Sequence, residues 1–169
     1  MFDWARDPPR VMTLPIVTIL RKFWRLPWHN RLLVLEATFS LAVAGFAIAL
    51  LPFRHVGRLA ARPTGRPEPP QQNRLPKVRS VRWAVIAAAR QVPWHAMCFQ
   101  RGLAAQFMLR RRGIPSVLYY GAAPHDLNGI AAHVWVRDGE VDVIGGEIAS
   151  RFALLATFPS QSGSGPASQ

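Results

Sequence analysis

One cysteine, Cys98, stands in 169 residues, so no intramolecular disulfide can form and nothing in the sequence asks for an oxidising compartment. A reducing cytoplasm is the expected location. Acidic residues are scarce too: nine Asp and Glu against 21 Lys and Arg leave a formal charge of +12, nearly all of the excess from Arg. Such an excess can draw nucleic acid, an acidic membrane surface or an acidic peptide, and does not choose among them. The arginines are dispersed rather than interleaved with aromatics along one element, which argues against a nucleic-acid-binding module. No Gly-rich phosphate loop is present, since Gly145-Gly146 lacks that context. A lone cysteine and scattered histidines lack ligand spacing, so neither a metal nor a cofactor is expected.

A long uncharged run is also missing. The stretch from Ala37 to Phe53 carries no charge over 17 residues, the bottom of the range that spans a bilayer, for which about 20 is usual. Thr38, Ser40 and Gly45 dilute it, Pro52 closes it, and Arg54, Arg58 and Arg62 follow. We read it as a buried or partner-facing helix over roughly 31–51, with Asn30 as N-cap. Membrane contact through 37–53 is the less favoured expectation. A secretory signal is disfavoured because the apolar run begins far from Met1.

What the chain has in plenty is proline, and it divides the sequence. Residues 1–14 show no periodicity and read as a flexible N-terminus. Residues 15–61 form a helical segment, starting with the helix-spaced Ile16, Ile19, Leu20 and Phe23. Between 62 and 77 stand Pro63, Pro67, Pro69, Pro70 and Pro76, whose fixed φ angles and missing donors predict an extended linker. Residues 78–158 then form an α+β domain. Its parts are a helix over 81–91, a second over 98–112 with Gly113 as C-cap and Pro115 as a stop, and a strand over 116–120. A polar loop over 121–129 follows, then a strand over 131–136 turned at Asp138-Gly139, a return strand over 140–144 and a closing element over 151–158. The Ser/Gly/Pro-rich 159–169 read as a disordered tail.

The chemistry concentrates where Pro93-Trp94-His95-Ala96 hands over to the helix at Cys98. The first turn of a helix offers unpaired N–H groups and the positive end of the macrodipole, a favourable seat for the anionic sulfur of a nucleophile. His133 follows on a predicted hairpin strand. A nucleophile on a helix N-terminus, then a strand, then a His on a hairpin is a papain-like order. Each part has a bland alternative: a lone Cys is most often an inert buried hydrophobe, and a lone His on a strand a satisfied core group. His95 reads as solvent-facing or capping, and His125 and Asp126 as solvated loop residues. Trp94 and Trp135 read as walls of the site, and Arg110-Arg111-Arg112 as a solvated helix end.

The segment Val92 to Phe99, the Leu109 to Ser116 run, the strand to Tyr120-Gly121, the block Ala132 to Gly139 and Val143-Ile-Gly-Gly-Glu together resemble the lasso peptide biosynthesis B protein family. The likeness covers about 78–158, and the helical half ending Leu-Leu-Pro-Phe-Arg is also similar to the segment ahead of the peptidase in that family. The resemblance implies a papain/transglutaminase-like cysteine peptidase domain preceded by an N-terminal helical segment. Its activity would be removal of the leader from a ribosomally made lasso precursor peptide. It implies Cys98 as nucleophile and His133 as general acid/base. The family often places an Asp twelve residues after its His, where this chain has Gly145. Glu147, two residues on, is the favoured third member, and Asp142 the alternate if the hairpin slips by one. The resemblance is to the split form, which implies a separate leader-recognition protein and a separate ATP-dependent lasso cyclase as partners. Two rival readings are a transglutaminase-like acyltransferase using the same Cys/His pair, and a non-enzymatic basic module binding nucleic acid or a membrane surface.

Overall fold

The computed structural model describes residues 21, 23–62, 71–125 and 129–159. The expected leader at 1–14, most of the helix from Ile16, the residues Asp126 and Asn128, and nearly all of the 159–169 tail lie outside the described residues.

Helix α1 (Trp28–Leu50) starts at Pro27, whose carbonyl accepts from Asn30 and Arg31, so Asn30 lies inside the helix rather than capping it. Ala37, Ser40, Leu41 and Ala44 recur at helical spacing and are buried. Gln100 of a later helix donates from Nε2 to the Leu41 carbonyl at 2.8 Å, tying α1 down at mid-length. The opposite face is different. Trp28, Leu32, Leu35, Phe39, Phe46 and Leu50 form an exposed apolar stripe. By length and composition alone α1 could cross a membrane, but its Ala37 to Ala44 face is packed against protein.

Helix α2 (Phe53–Ala61) buries Val56 and Ala60. Helix α3 runs from Gln71 to Ala89 and contains Pro76. Residues 71–77, expected in the linker, are thus its first turns. Pro76 is the sixth helical residue, so it forfeits one bond, to the Gln72 carbonyl, at about 3 kcal/mol. Arg74 offsets this: its Nε donates to Asp138 Oδ2 at 2.6 Å, with a second donor on Oδ1, and the Asp138 carboxylate is almost wholly buried. Val78, Val81, Ala84, Val85 and Ala88 form the buried stripe.

Helix α4 (Cys98–Arg111) is buried over most of its circumference. It ends in a Schellman turn: Gly113 has φ +71, its N–H bonds the Arg110 carbonyl at 3.1 Å, and the Ile114 N–H bonds the Leu109 carbonyl at 3.1 Å. The triple-Arg end is not simply solvated. Arg110 donates to the Leu59 and Ala60 carbonyls that end α2, and burial, then the charge of Arg62, pulls its guanidinium below the usual Arg value. Arg112 grips Glu36 of α1 with two bonds, 2.9 and 2.6 Å.

Four antiparallel strands form one sheet in the order β3-β2-β1-β4. Strand β1 (Val117–His125) pairs β2 (Gly129–Asp138) along its whole length. The loop expected from Gly121 is therefore strand as far as His125, because its small residues Ala122 and Ala123 continue the ladder opposite Ala132 and Ala131. Gly139, φ +56, turns β2 into β3 (Val141–Ile144). A 3-10 turn (Gly146–Arg151) then leads to β4 (Ala153–Phe158) on the far edge. Gly102 lets α4 close on the sheet, since a Cβ there would stand 2.8 Å from Val134 Cγ1. The protein is α+β: four helices, among the described residues, with one face of a four-stranded sheet against α4.

Candidate active site

Cys98 is the first residue of α4, with Met97 as an extended N-cap, φ −69 and ψ 163. No side chain caps this end, so the first-turn N–H groups are the ones an α-helix leaves unpaired. Cys98 is half-buried and is a free thiol. It lines a cavity of about 340 Å³ together with His133, Glu147, Arg90, Arg101 and Gly145.

His133 reaches that cavity from an unobvious direction. The pleat of β2 puts Val134 and Val136 against Gly102 of α4, so His133 and Trp135 belong to the other face. Strand β3, however, pairs with β2 only between Val136 and Asp138, with a bulge at Val136/Arg137. Beside His133 and Val134 that edge of β2 has no partner strand, and the cavity lies along it. Side chains from both faces meet there. The ring of His133 packs against Phe152, centroids 5.0 Å apart, and lies 6.1 Å from the Trp135 ring.

The His133 Nε2 atom lies 2.7 Å from the Gly145 carbonyl oxygen. A carbonyl only accepts, so Nε2 carries the proton and Nδ1 is left with the lone pair of a base. Gly145 can aim its carbonyl this way because it holds φ +75, and a Cβ there would lie 2.5 Å from the Val134 oxygen. Where the family often has an Asp, a backbone acceptor thus meets the ring. Among the described residues no hydrogen bond joins Cys98 to His133; they share a cavity wall.

The two candidate carboxylates are placed differently. Glu147 lines the cavity, but its carboxylate is ion-paired with Arg82 of α3 and 60% exposed. Its carboxyl is held below the usual range by a hydrogen bond from its own backbone N–H, against the upward push of burial, with help from Arg82 and, when its ring is protonated, from His133. It therefore feels the imidazole without bonding it. Asp142 accepts from Arg137 Nε at 2.7 Å and does not line the cavity.

Trp94 lines a second, adjoining cavity with Cys98, whereas Trp135 stacks on Tyr119 at 5.5 Å away from both. His95 is exposed and faces the second cavity. Reasoning from sequence passed over Arg90, Arg101 and the Gly145 carbonyl. In the sequence Arg101 is marked only as lying outside the apolar stripe of its helix, Arg90 carries no signal, and a main-chain acceptor leaves no mark. No cluster of three or more metal-ligating residues occurs among the described residues.

A thiol at a helix N-terminus and an imidazole of fixed tautomer on one cavity can perform acyl transfer through a thioester. Comparison with known proteins points the same way. The family model described as the transglutaminase-like superfamily matches residues 33–157, from within α1 into β4 and straight across the proline-rich stretch. No curated protein and no solved structure matches the chain.

Proposed function

The chain belongs to the transglutaminase-like superfamily, and from that premise we propose that it is a cysteine peptidase which removes the leader from a lasso precursor peptide. The observation that carries the reading is the placing of Cys98 and His133 on one cavity, with His133 Nε2–H held by the Gly145 carbonyl. The resemblance of the Cys98 and His133 blocks to the lasso B family supplies the substrate class.

In the proposed reaction the Cys98 sulfur, as thiolate, attacks the scissile carbonyl, and first-turn N–H groups of α4 stabilise the oxyanion. His133, protonated at Nδ1, gives that proton to the departing amine as the C–N bond breaks, leaving a thioester. Water, losing a proton to Nδ1, then displaces the sulfur and frees the leader as a carboxylate. The Gly145 carbonyl is the positioning group for the ring. Glu147 contributes its negative charge across the cavity rather than a hydrogen bond. A separate recognition protein would present the precursor, and a separate ATP-using cyclase would consume the freed amine.

The test is mass spectrometry of a precursor incubated with this protein and its recognition partner. Cleavage at one bond, abolished by Cys98→Ala and by His133→Ala, is the expected result; variants that still cut overturn the reading. An amide in place of the free leader carboxylate would make the protein an acyltransferase.

A further inference from the structure

Cys98 and Val134 line two cavities at once. The first is the polar one that holds His133. The second, about 740 Å³, lies between the C-terminal half of α1, the residues leading into α4, and the sheet. Its walls include Gly45, Phe46 and Ala49 of α1, Trp94, Met97 and Tyr120. Among the described residues its ionisable side chains, apart from Cys98, are His95 and Tyr120, and its volume lies within the ~300–1,000 Å³ that suits an organic ligand.

We propose that this groove is a subsite for a bulky apolar side chain, aromatic or branched aliphatic, on the acyl side of the bond that Cys98 attacks. The inference rests on the peptidase reading and adds direction to it. A general acid must sit beside the departing amine, so the leaving portion of the peptide belongs with His133 in the first cavity. The acyl portion is bonded to the sulfur and must leave Cys98 by the other route, which is the apolar groove. Burial of apolar surface there favours a side chain that Phe46, Trp94 and Met97 can cover, whereas a charged one would meet little to replace its water. Trp94 and Met97 are 40% and 67% exposed and Phe46 is 68% exposed, so an occupant has apolar surface to cover. Helix α1 thereby contributes directly to specificity, which its packing role alone does not require.

The experiment reads the sulfur rather than the peptidase. Chloroacetamide and its N-naphthylmethyl derivative both alkylate a thiol by displacement of chloride, and the rate at Cys98 is followed by intact mass on the full chain. The naphthyl probe is expected to react at least ~10-fold faster after correction for its rate with a free thiol, the scale on which apolar pockets discriminate. Ala49→Trp, which fills the groove from an exposed helical position, and Phe46→Ser are each expected to bring that preference to within about 2-fold of unity. A wild-type protein with no preference, or a preference that survives both substitutions, overturns the subsite and leaves the peptidase reading standing. Preference for the naphthyl probe in a protein that cleaves no precursor would sink the peptidase reading alone.

Discussion

His133 Nε2 and the Gly145 carbonyl oxygen stand 2.7 Å apart, and this bond fixes which imidazole nitrogen can act as base. Gly145→Ala should break it. The new Cβ would fall 2.5 Å from the Val134 oxygen in a backbone already at φ +75, so the turn must move and take the carbonyl with it. Precursor cleavage should fall at least ~100-fold in kcat/KM, mostly in kcat, as when an orienting acceptor is lost elsewhere. Steady-state kinetics on a variant with unchanged circular dichroism check this.

Glu147→Gln separates the two candidates for the orienting role. It keeps the side chain's shape and removes the negative charge. If Glu147 acts only through its field, cleavage should stay within about 10-fold of wild type, since the ring keeps its hydrogen bond. A loss as deep as that of Gly145→Ala would return the role to the carboxylate. Stability should barely change, because the Arg82 pair is well exposed and such pairs contribute about 0–1 kcal/mol.

Glu36 should make the fold sensitive to acid. Burial pushes its carboxyl up, but the hydrogen bond and charge of Arg112, with Arg111, bring it below its ordinary value of 4.5. A depressed folded-state value means the contribution is full above the unfolded value and is lost as pH falls through the folded one. Glu36→Gln should cost about 1–3 kcal/mol near neutral pH. The gap to wild type should close as the pH drops below 4.5. Urea unfolding at a series of pH values measures it.

Arg74 and Asp138 clamp the start of α3 to the end of β2. Arg74→Ala strands a buried carboxylate and should destabilise by about 3 kcal/mol, whereas a double change to Met and Leu should recover most of that. Chemical denaturation of the three variants tests both halves.

Much of this arrangement was legible because it is written in side chains and turn residues. Gly113 and Pro115 mark the end of α4, Asp138-Gly139 marks the hairpin, and the Val81, Val85, Ala88 spacing marks the core face of α3. Elsewhere tertiary contacts override local signals. Pro76 suggested extended chain, yet the bond from Arg74 to Asp138 and the burial of Val78 keep that segment helical. Gln106 carries an amide on a helix that is buried almost all round, and it is tolerated because Nε2 reaches the Phe158 carbonyl at 3.0 Å. The sequence points to carboxylates as the acceptor for His133, but a main-chain oxygen becomes visible only once the φ of Gly145 is known.

Gly102 sets the distance between the helix that starts at Cys98 and the strand that carries His133. A Cβ at that position would stand 2.8 Å from Val134 Cγ1 and 3.5 Å from Val136 Cγ2, so Gly102→Val must push α4 away from β2. Overpacking of this kind costs about 1–3 kcal/mol, a loss the protein can survive while the site does not. Cys98 lies four residues before Gly102, just over one helical turn, and moves with it, whereas His133 stays fixed to Gly145. Cleavage should therefore fall by ~100-fold or more while the unfolding transition stays cooperative. A Gly102→Ala variant should lie between the two, because one methyl asks for a smaller shift. If Gly102→Val loses stability but keeps full cleavage, the spacing between α4 and β2 is not what brings Cys98 and His133 to one cavity.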